Sequence, residues 1–313
     1  MLQRPLLTPI VIGCWLLTSG WLVIAKIVPS LQPGSPPGQQ ALYAAGNRLV
    51  PVAWTVSWDD APVGWAVALT HRSGGGELTV ESQLHFDRLP LDDMLPVWAG
   101  LLVRRAVREA HVTSLDARGR IRIDPSGRLR AFSSRVNLPG AIDQVRLDGT
   151  VNDGAVVITI AAGGMKYETT RHLPSDIMIG DELSPQATLP GLYEGRRWAV
   201  PMYSPLRPGQ SPIEILHAEV GSEETLFWDN QLVRVHVVSY RDDPSSDREP
   251  RCRLWVDLAG RVLRQEAAML GAVMAFVRRT DDVAARLAAE CPDPFDDGPP
   301  SAAHPTTGEA SSP

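Results

Sequence analysis

Cysteine is scarce: Cys14, Cys252 and Cys291 are the only three in 313 residues. That count excludes a disulfide-dense mini-scaffold and a multi-cysteine zinc module. Lysine is scarcer still, with Lys26 and Lys166 alone, so nearly all of the 30 basic residues are arginine. A basic excess is absent. The net charge is −6 and the pI about 5.7, which excludes a nucleic-acid binder, since that role needs a basic face to neutralise phosphates.

Catalytic and metal-binding signatures are missing too. The histidines are His71, His85, His111, His172, His217, His236 and His304. None pairs with another at helical spacing, and neither H-E-x-x-H nor H-x-x-E-H occurs, so no metal ligand set is expected. There is no G-x-S-x-G, no S-x-x-K and no phosphate-cradling glycine loop. Adjacent acids occur at 59/60, 92/93, 181/182, 223/224, 242/243, 281/282 and 296/297. Neighbours on a strand point to opposite faces, and most of these pairs fall in turns or at helix starts. They read as capping and solvated groups, not as a shared acid–base cleft. No cofactor is expected and no catalytic residue is assigned.

What is present suffices for a core. Hydrophobic residues make up 44%, too many for wholesale disorder. The length fits two average domains or one large all-β unit. From Asp281 onward seven acids face one base, Arg286, so this end carries the whole net charge. With prolines at 292, 294, 299, 300, 305 and 313, residues 291–313 read as an acidic disordered tail.

The N-terminus reads as a membrane address. Residues 6–25, LLTPIVIGCWLLTSGWLVIA, carry no charge and lie between Arg4 and Lys26. Twenty such residues rise about 30 Å as a helix, the thickness of the hydrocarbon core. An uncleaved single-pass anchor spanning 1–28 is the expectation, with the C-terminal domain outside the cytoplasm. Two alternatives stand beside it: a cleaved signal peptide, and lipidation at Cys14, because Val11-Ile12-Gly13-Cys14 resembles a lipobox. Residues 29–42, rich in proline and glycine, form a spacer.

The body, 43–290, reads as antiparallel β. Val52, Trp54, Val56 and Trp58 alternate with Ala53, Thr55 and Ser57, the period of a half-buried strand. Asp59-Asp60-Ala61-Pro62 turns the chain and 63–70 returns it. Further strands are expected at 77–86, 120–123, 129–138, 144–151, 155–162 and 165–170. Val156–Ile160 is nearly continuous apolar, as in a strand covered on both faces. A second series follows at 213–220, 224–228, 232–240, 253–257, 261–267 and 272–279. D-x-x-G-R-aliphatic occurs at Asp116, Asp124 and Asp257 and reads each time as a hairpin turn. Leu91, Leu95, Trp98, Leu101, Leu102 and Val107 recur at helical spacing, which predicts a helix. A short helix is expected at 281–290. Prolines between 173 and 212 mark a strap joining halves 43–172 and 196–290.

Even strand spacing with one early helix points to a mainly β fold, an antiparallel sheet curled around that helix as a half-barrel. Trp54, Trp58, Trp65, Leu84, Phe86 and Trp98 are the candidate ligand-binding residues, on a concave apolar face that either holds a lipid-like ligand or is simply filled core. With Cys14 in the membrane segment, Cys252 and Cys291 remain as an even pair. A bridge closing a loop of about 40 residues contributes about 4 kcal/mol in the chain-entropy picture; the alternative is two unpaired thiols.

The succession VSWDDAPVGWAVALTHR, DPSGRLRAFSSRVNL, VRLDGTVNDGAVVITIAAGG, LPGLYEGRRWAVPMYSPL and RLWVDLAGRVLRQEAAMLGAVMAFVRR resembles two groups. One is the non-catalytic β-rich region preceding the catalytic domain of bacterial transglutaminase-like membrane proteins. The other is the lipoprotein-carrier type of extracytoplasmic β half-barrel. The resemblance covers about 50–280 and rests on turn and strand signatures. No Cys–His–Asp domain follows here, so the first implies no catalytic residue; the second implies apolar-ligand binding. The expected function is a non-enzymatic, membrane-anchored domain outside a bacterial cytoplasmic membrane that binds an apolar ligand or an envelope protein. A structural module with a filled core is the alternative, and an unrecognised hydrolase the third reading.

Overall fold

The alternation of residues 52–58 becomes β1 (Val52–Trp58), the centre of one 15-stranded sheet. The structure is a computed structural model. It describes residues 7–22, 34, 36–37, 50–87, 114–137, 145–152, 154–162, 164–172, 178–179, 185–203, 213–246, 248–269 and 272–290. The helix expected at 91–107, with Trp98, lies outside the described residues, as do Cys291 and the acidic tail.

From β1 the chain meanders outward through β2 (Ala61–Arg72), β3 (Leu78–Phe86), β4 (Leu115–Ile123), β5 (Leu129–Asn137), β6 (Val145–Asn152), β7 (Ala155–Ala162) and β8 (Met165–His172). It resumes at β9 (Met178–Ile179) and β10 (Arg197–Tyr203) and returns through β11 (Ile213–Trp228), β12 (Gln231–Arg241), β13 (Cys252–Asp257) and β14 (Val262–Met269) to β15 (Ala272–Arg278). β15 pairs antiparallel with β1, Trp54 opposite Arg278 and Trp58 opposite Met274. This seam joins the two ends of the β region. Among the described strands every pairing is antiparallel except β9 with β10, and the outer strands are β8 and β9.

Two tight hairpins show why acids and amides sit where they do. Asp59 and Asp60 (φ 45° and 65°) and Asp229 and Asn230 (φ 48° and 58°) are left-handed, the two-residue turn that matches strand twist and that Asp and Asn tolerate. The D-x-x-G-R turns are equally local. Asp124 Oδ1 accepts from the Ser126 and Arg128 amides at 2.9 Å each, and Asp257 Oδ1 accepts from Ala259 and Arg261 at 3.0 and 2.8 Å. Gly127 and Gly260 both have φ 83°, where a side chain is strained. The third copy is not a turn. Asp116–Arg120 lies inside β4, because Asp116 bonds His85 on the neighbouring strand instead of its own backbone.

β11 is likewise one strand where two were expected, with its register shift between Val220 and Glu223. β7 buries Val156 and Ile158 but leaves Val157 half-buried, so it is covered mainly on one face.

One face of the sheet carries three apolar clusters, around Trp54–Phe276, Phe132–Ile158 and Trp198–Leu254. The other face is covered at the seam by α2 (Asp281–Glu290), whose Ala284, Leu287 and Ala288 pack on Ala53, Val67 and Leu69.

At the N-terminus α1 (Leu7–Leu22) has 16 residues and rises about 24 Å. Among the described residues no helix is long and apolar enough to cross a membrane; residues 6 and 23–25 of the expected span lie outside them. Ile12, Trp15, Leu17 and Trp21 of α1 are exposed. In the spacer, Gly34 donates to the Arg197 carbonyl at 2.9 Å and bridges to β10.

Candidate functional site: a cavity inside the curled sheet

β6 and β11 stand ten positions apart in strand order, about 48 Å if the sheet were flat. Yet Leu147 of β6 and Leu216 of β11 line one cavity of about 230 Å³. The sheet therefore curls until its halves face each other. The wall near the seam is built from small residues, Ala66 and Ala68 on β2, Ala117 and Gly119 on β4 and Ala267 on β14. Alternation turns these positions inward, and their missing bulk leaves the space that Leu or Phe would fill. Trp54, Leu84, Phe132, Met202 and Leu254 complete the apolar lining.

Polar residues share the lining, Ser82, Arg118, Arg120 and Ser134 on one side and Tyr240, Arg251 and Gln265 on the other. Arg251, its side chain 9% exposed, is ion-paired with Glu214 and lies 3.2 Å from Asp242, so its charge is already balanced. Tyr240 meets Trp198 edge-on at 6.1 Å. Burial pushes its phenol far above the usual range, and the neighbouring Cys252 adds to this, so it stays neutral. The Gln186 amide donates to Gln265 Oε1 at 2.9 Å where residues 185–187 run along the wall.

The expected binding residues separate. Trp54, Trp58, Leu84 and Phe86 belong to one inner cluster. Trp54 and Leu84 line the cavity, while Trp58 and Phe86 close the packing beside it. Trp65 is elsewhere. It lies opposite Thr55 on the outer face, beneath α2 and stacked on His85 at 5.5 Å. The cause is one extra residue. An unbroken hairpin from the Asp59–Asp60 turn would set Trp65 opposite Trp54, but the register shifts after Ser57 and Val63 bulges into the core. One residue of slip reverses every later side chain. Gly64 makes the bulge passable, since a Cβ there would lie 1.9 Å from the His85 carbonyl oxygen.

Sequence reasoning missed the opposite wall. Met202, Leu216, Tyr240, Cys252 and Leu254 alternate as plainly as residues 52–58, but alternation does not say which strands a curl brings face to face. Cys252 lies on this wall; its expected partner Cys291 lies outside the described residues. His85 is the other group that strand spacing did not reveal. Its Nδ1 is 2.8 Å from Asp116 and its Nε2 3.3 Å from Asp87. Both ring nitrogens face carboxylates, which suits a clamp between β3 and β4 and leaves neither directed at a nucleophile. Among the described residues no group of three His, Cys, Asp or Glu is placed to hold a metal ion.

No protein-family profile matches the chain, and no curated protein matches it. Among solved structures it is similar to a β-barrel-like protein of a domain of unknown function, DUF1849, from Brucella abortus. That match has 13% identity and a TM-score of 0.42, and covers 74% of this chain and 97% of the other. It is also similar to a DUF1089-family protein from Pseudomonas aeruginosa, at 17% identity and a TM-score of 0.33, over 66% of this chain and 90% of the other. Neither supports the resemblance to transglutaminase-like or lipoprotein-carrier-type proteins.

Proposed function

We propose that this chain is a non-catalytic binding domain that takes an apolar, lipid-like ligand inside its curled sheet. The observation that carries the reading is the cavity of about 230 Å³, in whose wall Ala66, Ala68, Ala117, Gly119 and Ala267 stand beside Trp54 and Leu84 and leave space that larger side chains would fill. Of the arginines in the lining, Arg251 and Arg120 are paired with carboxylates and Arg118 Nε is buried without a hydrogen-bond partner, which suits an occupant that is apolar over most of its length with one polar end. Residues 6–25, continued as apolar sequence on both sides of α1, act as the membrane anchor and hold the domain outside the cytoplasmic membrane, where such ligands are available.

The test is filling the space. The double variant Ala68→Leu/Ala117→Leu adds bulk at two half-buried wall positions. The parent chain, titrated with a fluorescent fatty acid, is expected to bind saturably. The variant is expected to lose at least tenfold in affinity while its denaturant midpoint is unchanged or raised. Equal binding by parent and variant, or no saturable binding by the parent, rejects the reading in favour of a structural module whose clusters are its whole content.

A further inference from the structure

β8 (Met165–His172) is the outer strand of its half of the sheet and pairs only with β7 among the described residues. Seven of its eight side chains are exposed and Thr169 is half-buried, so neither face is covered. The other outer strand, β9, is two residues long. An unpaired edge of eight residues presents a row of N–H and C=O groups ready to template another strand. Edges are protected by shortness, proline, bulges or repelling charge. β8 has no proline, its register with β7 runs unbroken from Met165 to His172, and its charges do not repel. Lys166 and Glu168 stand on one face with opposite signs, 3.9 Å apart.

That spacing is self-complementary. Turn a second β8 antiparallel about an axis at Tyr167, and Lys166 of each copy stands opposite Glu168 of the other. Tyr167 meets Tyr167, and Met165 meets Thr169. An axis at Glu168 sets Glu168 against itself. An axis at Thr169 sets Lys166 against His172. Like charges directly opposite destabilise a strand pair, and opposite charges or paired aromatics stabilise it. The Tyr167 axis also continues an existing row, because Tyr167 lies beside Ile160, Ile160 beside Leu147, and Leu147 beside Ser134.

From this juxtaposition we propose that β8 is a dimerisation edge, joining two copies of this chain sheet to sheet, antiparallel, with Tyr167 on the two-fold axis. The interface is isologous, as closed two-fold assembly requires.

Sedimentation of the full chain in mild detergent reads the dissociation constant. Lys166→Glu and Glu168→Lys each create two like-charge pairs and are expected to weaken the dimer by about tenfold or more. The double exchange Lys166→Glu/Glu168→Lys restores both attractions and is expected to return the constant to within about threefold of the parent. Tyr167→Cys is expected to form an interchain disulfide on mild oxidation that the parent chain does not, since directly opposite Cβ atoms lie within reach of one. β8 is exposed, so these variants keep the parent's circular dichroism. A monomer at every concentration, a dimer indifferent to the single exchanges, or single losses that the double exchange does not repair overturns the proposal.

Discussion

Asp124 shows how much one side chain contributes at a turn. Its carboxylate accepts from the Ser126 hydroxyl and from the amides of Ser126 and Arg128. The Ser126 hydroxyl is the main cause of a carboxyl held below its ordinary 3.8; the two amides and the Arg128 charge work the same way, and burial opposes them. Folding therefore favours the ionised form. The contribution is complete above the ordinary carboxyl value and is lost as pH falls through the lower folded value. Asp124→Ala is expected to cost about 1–3 kcal/mol at neutral pH. Denaturant melts of parent and variant are expected to converge below about pH 4; a gap that stays constant with pH contradicts the assignment. This turn was legible in the sequence because its chemistry is local. The same letters at Asp116 misled, because there a partner 31 residues away, His85, takes the carboxylate. Trp65 misled for a related reason: the bulge at Val63 depends on where Gly64 must pass the backbone of β3, which alternation along β2 alone does not encode.

At the scale of elements, α2 connects an acidic helix start to the outer face of the seam. Asp281 and Asp282 occupy its first turn, favourable to the helix dipole, and Leu287 packs toward Ala53 and Val67. Leu287→Ala removes part of that cover, and a half-buried leucine is expected to cost about 1–2 kcal/mol, below the range for full burial. Hydrogen exchange is expected to quicken in α2 and at the β1–β2 backbone beneath it, with β12 and β13 unchanged. Uniform quickening contradicts a local cover. The bounds of α2 and of β1 and β7 follow the sequence pattern closely, since each begins or ends at an acid, glycine or turn pair. β11 did not, because Gly221 and Ser222 read as a break and are instead a register shift within one long strand.

For the whole molecule, the decisive feature is the seam. Pairing β1 with β15 joins residues 54–58 to 274–278 and lets two meanders of local hairpins share one sheet. Hairpin signals announced the meanders. Nothing local announced the seam or the curl, because both depend on which apolar faces meet across the interior. The small residues at Ala66, Ala68, Ala117 and Ala267 were visible in the sequence but acquired meaning only once their three strands were placed around one space. The antiparallel β class was thus readable, while half of the cavity wall was not.

A domain that takes a lipid-like ligand into this space carries it in the cell. The most direct measurement is native mass spectrometry of the full chain, purified from membranes in mild detergent, with extraction and identification of anything that copurifies. A stoichiometric lipid-like adduct is expected, and it is expected to be lost in Ala68→Leu/Ala117→Leu. A bare protein, or an adduct that the filled variant retains, contradicts this reading.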